Sequence, residues 1–281
     1  MRTSVITVVA GRHDHLRRQY DGLRATAPRP DHQVIVTMGD RAADDVPGRL
    51  PGATVVPLPA GAAGLPLAAA RNAGARAAVA VGAELLVFLD VDCIPGPALF
   101  ARYAQAAADP RHGQHLLAGP VHYLPPPPAG GYRLGGLAAL AGPHPARPAP
   151  PDGTVVAAAD NRLFWSLSFC LRTSVWEAIG GFCEDYSGYG GEDTDFAESA
   201  AALGIGLRWV GGATAYHQHH PVSRPPVEHL DDVLRNGELF HRRWGWWPMR
   251  GWLDAFAERG LVRHDEVTDS WHRTAIAEAD A

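Results

Sequence analysis

Apolar positions along the chain fall into short buried runs separated by helical stretches. S-V-I-T-V-V-A (4–10) has the length and β-branching of a buried strand. From about Asp14 to Ala27, Leu16, Tyr20 and Leu23 recur at helical spacing, and the stretch stops before Pro28. Q-V-I-V-T-M (33–38) and T-V-V-P-L (54–58) read as further strands, the first ending at Gly39-Asp40. An alanine-rich helix runs from about Pro66 to Val81, with proline at its start and Gly82 at its end. The apolar strand 85–89 follows, then a helix from about Pro97 to Ala108. This alternation predicts an α/β fold with a mostly parallel central sheet flanked by helices. Ligands of such sheets bind beyond the carboxyl ends of the strands, where Asp40, Asp90 and Asp92 stand.

The second half is less regular. Residues 125–128 are four prolines, and G-P-H-P-A-R-P-A-P-P-D (142–152) is a second proline-rich stretch; both read as surface loops. L-F-W-S-L-S-F-C-L-R (163–172) alternates like a strand. G-G-F-C-E-D-Y-S-G-Y-G-G-E-D-T-D-F (180–196) reads as a glycine-rich loop opening a helix that ends near Gly204. L-R-W-V (207–210) is a strand leading to A-Y-H-Q-H-H-P (215–221), and a helix from Val227 to about Arg243 closes the core. The remainder, 246–281, is expected to be a helical tail. The tryptophans at 244–252 suit an acceptor platform, core packing, a dimer contact or a membrane surface.

Three stretches carry chemistry. In L-L-V-F-L-D-V-D-C-I-P (85–95) an apolar run ends on Asp90 and Asp92. Residues i and i+2 of a strand face the same way, so both carboxylates could lie on one side and repel unless a cation neutralises them. A divalent ion that also grips a diphosphate would do so. The alternative is an exposed loop start with both groups solvated. In G-Y-G-G-E-D-T-D-F (188–196) a place in a helix's first turn is the alternative reading for Glu192, Asp193 and Asp195, and it can explain Asp195 in full. The glycines favour a sharp turn or close approach to a ligand, and a carboxylate at its end is well placed as a general base. In Y-H-Q-H-H (216–220), one histidine completing a carboxylate site is favoured over zinc, because no cysteine pair is at hand. Mixed oxygen and imidazole ligation leans towards Mn2+ over Mg2+.

Composition narrows the classes. The 281 residues can bury a substantial core, and the 46% hydrophobic and 20% charged fractions are those of a soluble globular protein. Net charge is −5 with scattered basic residues, which argues against nucleic acid as a partner. All 25 basic residues are arginine, the usage of a GC-rich bacterial genome, and this excludes a catalytic lysine. Three cysteines without C-x-x-C spacing argue against a disulfide framework. Neither a signal peptide nor a run of membrane-spanning length is legible, so a cytoplasmic location is expected, with peripheral membrane contact left open. No G-x-G-x-x-G follows the first strand, which disfavours a dinucleotide-binding oxidoreductase.

In their order, these motifs resemble the GT-A fold glycosyltransferases, family 2 and the related galactosyltransferase C-terminal module, over residues 3–245. V-V-A-G-R carries Arg12, the second strand ends on Asp40, and A-A-A-R-N-A-G (68–74) resembles the family's R-N-x-G helix. F-L-D-V-D resembles its D-x-D motif, 180–196 its G-G-F-x-E to G-G-E-D block, and A-Y-H-Q its late metal-ligand histidine. The resemblance implies a nucleotide-sugar-binding half (1–122) and an acceptor or catalytic half (123–245). It implies Asp92 as the main metal ligand with Asp90 towards metal or ribose, and His217 as third ligand with His219 as fallback. Arg12 and Asp40 would bracket the nucleobase, and Arg71 would approach base or diphosphate. Gly190 and Gly191 would approach the donor, Glu192 would bind the acceptor, and Asp193 would be the general base. Arg71 acting only as a salt bridge and Asp40 only as a turn cap stay open. The implied activity is metal-dependent (Mn2+ or Mg2+), inverting transfer from a UDP-linked sugar to an acceptor hydroxyl. A non-catalytic nucleotide-sugar-binding protein and a nucleotidyltransferase are the alternatives. Tyr189 stands where many relatives have tryptophan, Cys93 follows the D-x-D, and 142–152 has no counterpart.

Overall fold

The computed structural model describes residues 1–39, 49–61 and 64–274. In chain order these form β1 (Thr3–Val9), α1 (His13–Ala25), β2 (His32–Met38), β3 (Thr54–Leu58), α2 (Leu67–Ala80), β4 (Leu85–Leu89), β5 (Cys93–Pro95) and α3 (Leu99–Ala108). Then come β6 (Leu116–Ala118), β7 (Val121–Tyr123), α4 (Leu137–Leu140), β8 (Gly142–Pro143), β9 (Val155–Ala157), β10 (Ser168–Arg172), α5 (Thr173–Ile179) and α6 (Glu192–Ala202). The chain continues through β11 (Leu207–Val210), β12 (Ala215–His217), α7 (Leu230–Trp244), α8 (Arg250–Glu258), β13 (Val262–Asp265) and β14 (Ser270–Arg273).

Eight strands build the main sheet in the order β3-β2-β1-β4-β10-β6-β11-β9. The β3-β2-β1-β4 half is parallel, as the alternation predicts. Beyond β4 the sheet is mixed: β10 runs antiparallel to both neighbours, β6 and β11 pair in parallel, and β9 closes antiparallel. β4 is apolar throughout because both its faces are covered. Leu86 and Phe88 pack with α2, α5 and α6 residues, while Leu85, Val87 and Leu89 pack with Phe100 and Tyr103 of α3. α2 lies close on the sheet at Gly74, where a β-carbon would collide with Ile6. Six aromatic rings, Phe88, Phe164, Phe169, Trp176, Phe182 and Phe196, fill the same side, Phe182 stacking on Phe196 at 4.2 Å between centroids.

Three expectations are corrected. The alternating stretch 163–172 is a strand only over Ser168–Arg172, because its beginning belongs to a 3-10 turn, Asn161–Leu163, capped by the Asp160 side chain. The helix expected from Val227 starts as a 3-10 turn, Val227–His229, and is α-helical from Leu230. The tail is not purely helical: α8 is followed by the antiparallel hairpin β13-β14. This unit has its own core, in which Trp247, Leu253, Phe256, Val262 and Trp271 pack against Leu230 and Val233 of α7. The tail tryptophans are therefore largely packing elements. Trp247 and Trp271 are buried, and Trp244 donates its indole N–H to Asp195 at 2.7 Å. Among the described residues no helix is long and apolar enough to cross a membrane.

Candidate active site

A second sheet, β5-β12-β7-β8, forms beside the carboxyl end of β4. The chain leaves β4 at Asp90 and turns at once, so Asp90 and Asp92 do not share a strand face. Gln19 of α1, fully buried, fixes the turn. Its amide donates to the carbonyls of Asp90 (2.7 Å) and Cys93 (3.1 Å), and its carbonyl accepts from the Thr7 hydroxyl at 2.9 Å. The two carboxylates then point to different partners.

Asp92 meets the histidine segment. β12 pairs antiparallel with β5 so that His217 lies opposite Cys93, and the Gln218 N–H donates to the Asp92 carbonyl at 2.7 Å. The Gln218 side chain, also fully buried, donates to the His15 carbonyl at 3.1 Å. Nε2 of His217 and Nε2 of His220 each stand 3.5 Å from Asp92 Oδ2. Asp92, His217 and His220 offer ligand atoms all within 4.8 Å of one another. One carboxylate and two imidazoles are a fit donor set for a divalent transition ion. Burial pushes Asp92 up, but the His220 hydrogen bond and the charges of His217 and Arg12 hold it at about 2. Burial pushes His217 down despite Asp92, which favours the neutral imidazole that ligates metals. His219, the expected fallback, is exposed and its N–H donates to the Tyr132 hydroxyl at 3.2 Å, whereas His220 is the second histidine beside Asp92. Arg12, expected at the nucleobase, sets Nη1 2.6 Å from Asp92 Oδ2 on a side chain 41% exposed. Asp40 lies outside the described residues.

Asp90 turns to Arg71. This arginine, 4% exposed, donates Nη1 to Glu192 Oε1 at 3.0 Å and stands 3.4 Å from Asp90 Oδ1 through Nη2. Its guanidinium also lies over the Phe182 ring at 5.3 Å. The salt bridge left open by the sequence is thus present, and it joins the D-x-D turn to the start of α6. The neighbouring Asn72 binds the glycine-rich loop from both sides, donating to the Phe182 carbonyl and accepting its N–H, each at 2.9 Å. Burial, opposed by Arg71 and reinforced by Asp92, raises Asp90 to about 6.

At the start of α6, Glu192 is buried and its Oε2 has no hydrogen-bond partner among the described residues. Asp193 is half-buried and accepts the Thr194 N–H at 2.8 Å. Burial and the charge of Glu192 raise Asp193 to about 7 against the pull of Arg71. Asp195 is structural: it accepts from Tyr186 (3.2 Å), Arg243 (2.7 Å) and Trp244 (2.7 Å). Gly190 and Gly191 adopt φ of 90° and 93°, and their open sides face Met249 and Tyr186, so the glycines here serve a tight turn packed against protein. Asn236 of α7 holds that turn, donating to the carbonyls of Ser187, Tyr189 and Gly190 at 2.9–3.2 Å. Gln19, Gln218, His220 and Asn236 carry no expectation from sequence. Only the H-x-x-H spacing of His217 and His220 is a local signal for any of them.

A family model described as the N-terminal domain of galactosyltransferase matches residues 160–222, the stretch from before β10 to the histidine segment. Validoxylamine A glucosyltransferase of Streptomyces hygroscopicus subsp. jinggangensis is 32% identical over 204 residues, covering 64% of this chain and 45% of that protein. Its counterpart from subsp. limoneus is also 32% identical, with 42% of its length covered. The chain thus spans less than half the length of these relatives. The crystal structure of GalNAc-T7 with UDP, GalNAc and Mn2+ is similar with a TM-score of 0.53 at 15% identity, over 78% of this chain and 44% of that one. S. aureus TarS 1-349 gives 0.54 at 13% identity, over 85% and 64%. At such identities the likeness is one of fold. The parallel half-sheet with a D-x-D turn at its edge and these neighbours show that the chain has a GT-A-like fold, and within it residues 160–222 are similar to the galactosyltransferase family.

Proposed function

We propose that the protein is a metal-dependent, inverting glycosyltransferase that moves a sugar from a UDP-linked donor to an acceptor hydroxyl. The observation that carries this reading is the Arg71 bridge, which brings the D-x-D turn and the Glu192-Asp193 pair to one place. The relatives named as glucosyltransferases agree with it, as do the UDP and Mn2+ present in the GalNAc-T7 crystal structure.

Asp92, His217 and His220 would hold the metal ion, Mn2+ in preference to Mg2+. Bound there, it supplies positive charge to the diphosphate of the leaving group. Arg12 would turn from Asp92 to the same diphosphate, as its exposure allows. Asp193, with a pKa near neutrality, takes the proton of the acceptor hydroxyl. The new bond to the anomeric carbon forms on the face opposite the breaking bond to diphosphate, so configuration inverts. Glu192 Oε2, buried and unpartnered, accepts a hydroxyl of the acceptor.

The test is calorimetric titration of UDP and GDP in the presence and absence of Mn2+, followed by a panel of UDP-sugars with the anomer of the product read by NMR. Metal-dependent UDP binding and an inverted product are expected. Failure of both nucleotides to bind with metal present would sink the reading.

A further inference from the structure

The proline-rich segment between β8 and β9 carries a cation that the proposed reaction does not use. Arg147 is 6% exposed. Its guanidinium lies between two indoles, 5.1 Å from the Trp165 ring centroid and 4.9 Å from that of Trp209. None of its Nε, Nη1 and Nη2 atoms has a hydrogen-bond partner among the described residues, nor does it form an ion pair among them. A guanidinium brings five N–H donors, and aromatic faces satisfy none of them in its plane. A buried charge without a counter-ion is among the least favourable arrangements in a fold. Burial accordingly pushes the Arg147 pKa down.

The segment is anchored at both ends. Gly142 and Pro143 pair with Tyr123 and His122, and Asp152 takes a two-pronged ion pair from Arg102 at 2.7 and 2.5 Å. Between these anchors four prolines (145, 148, 150, 151) have no N–H to donate. The Arg147 N–H bonds only within the segment, to the His144 carbonyl at 3.1 Å. Between the anchors this stretch meets the body of the protein through the Arg147 side chain, the His144 ring and the Pro150 and Pro151 carbonyls, which pack close to Gly211. A line of ring contacts runs from Arg147 to the proposed metal ligands: Trp165 meets His144 at 4.9 Å, His144 meets Tyr123 at 5.4 Å, and Tyr123 stacks on His217 at 4.7 Å.

We propose that Arg147 is a donor-binding residue that turns out of the Trp165–Trp209 slot to clamp the diphosphate of the nucleotide sugar. The proposal rests on the glycosyl-transfer reading. It gives two of the unsatisfied donors a pair of phosphate oxygens, the two-pronged partner that an arginine fork fits. The segment 144–151 moves with the side chain, its two anchors staying in place.

The experiment titrates inorganic pyrophosphate and UDP, each with Mn2+, into the full chain and into its R147M and R147K variants, with thermal midpoints recorded without ligand. Wild type should bind both. R147M should melt no lower than wild type, because it removes an unpaired buried charge, and should bind both ligands roughly ten- to a hundredfold more weakly. R147K should fall between, keeping the charge and losing the fork; it carries the binding test if R147M is poorly folded. Unchanged affinity in both variants, with a lower midpoint, makes the guanidinium a packing element and overturns the proposal while leaving the function standing. Unchanged pyrophosphate affinity with a raised KM for an acidic acceptor moves Arg147 to the acceptor and overturns it equally. If wild type binds neither ligand, the donor reading itself falls and takes the proposal with it.

Discussion

Arg71 and Glu192 are buried against each other, Nη1 to Oε1 at 3.0 Å, although 121 residues separate them in the chain. Arg71 also faces Asp90, so one guanidinium serves carboxylates of two motifs. Replacing it by methionine would leave Glu192 and Asp90 without their cation. R71M should lose about 3–5 kcal/mol of stability, the range for breaking a buried ion pair from one side. Urea unfolding measures this, and a loss under about 1 kcal/mol would show that the site does not depend on the bridge.

The raised pKa of Asp193 sets a pH dependence. A general base acts only when deprotonated, so kcat/KM should climb with pH and level off above the Asp193 value of about 7. D193N should lower kcat by about 10²–10⁴-fold and leave UDP affinity unchanged. Activity retained in D193N, or an acid limb that survives in its residual rate, would remove Asp193 from the role.

His220 and His219 are adjacent in sequence and opposite in expected consequence. H220A and H217A should each weaken Mn2+ binding on the order of tenfold or more, while H219A should bind as wild type does. Calorimetry with Mn2+ alone separates the three without any substrate. An H219A variant as weak as H220A would contradict the ligand set.

Stability of the ligand-free protein should also follow pH. Asp90 and Asp193 have folded values raised to about 6 and about 7. Unfolded aspartate titrates near about 3.9. Between these limits the two carboxyls hold more protons in the folded state, so their contribution to stability falls as pH rises from about 4 to about 7 and is level beyond. Asp92, lowered to about 2, acts the other way and removes stability only as pH falls from about 4 through that value. Burial lowers His15, His115, His122, His144 and His217, which raises stability over part of the same span, so the carboxyl contribution is read as a difference between variants. The thermal midpoint of D193N relative to wild type should climb as pH rises from about 4 to about 7, and a relative midpoint that falls over that interval would reverse the assignment.

The parts legible in sequence are those with a local signature. The apolar run closing on Asp90 and Asp92, the alanine-rich helix with Arg71, and the glycine turn before Glu192 each announce themselves within a dozen residues. Register and long-range pairing do not. Three histidines in four positions look alike until β12 pairs with β5 and sets His217 and His220, not His219, towards Asp92. Asp90 and Asp92 share a face only if the strand continues, and Gln19 holds the turn that parts them from 71 residues away. The insertion of β10 antiparallel beside β4 is likewise a tertiary choice, since its own alternation suits either direction. In the tail, two four-residue strands are too short for their periodicity to stand out from the helix before them.

The bond from Gln218 to the His15 carbonyl spans 203 positions of the chain. With Arg12 reaching Asp92 and Arg71 reaching Glu192, this means that neither 1–122 nor 123–245 owns a finished site. Contacts of such sequence separation form only after the intervening loops have closed, so they belong to the late part of folding. Ligand binding by this protein is therefore a count of fully assembled molecules. A fragment cut at the midpoint would keep its motifs on paper and have nothing to hold them in register.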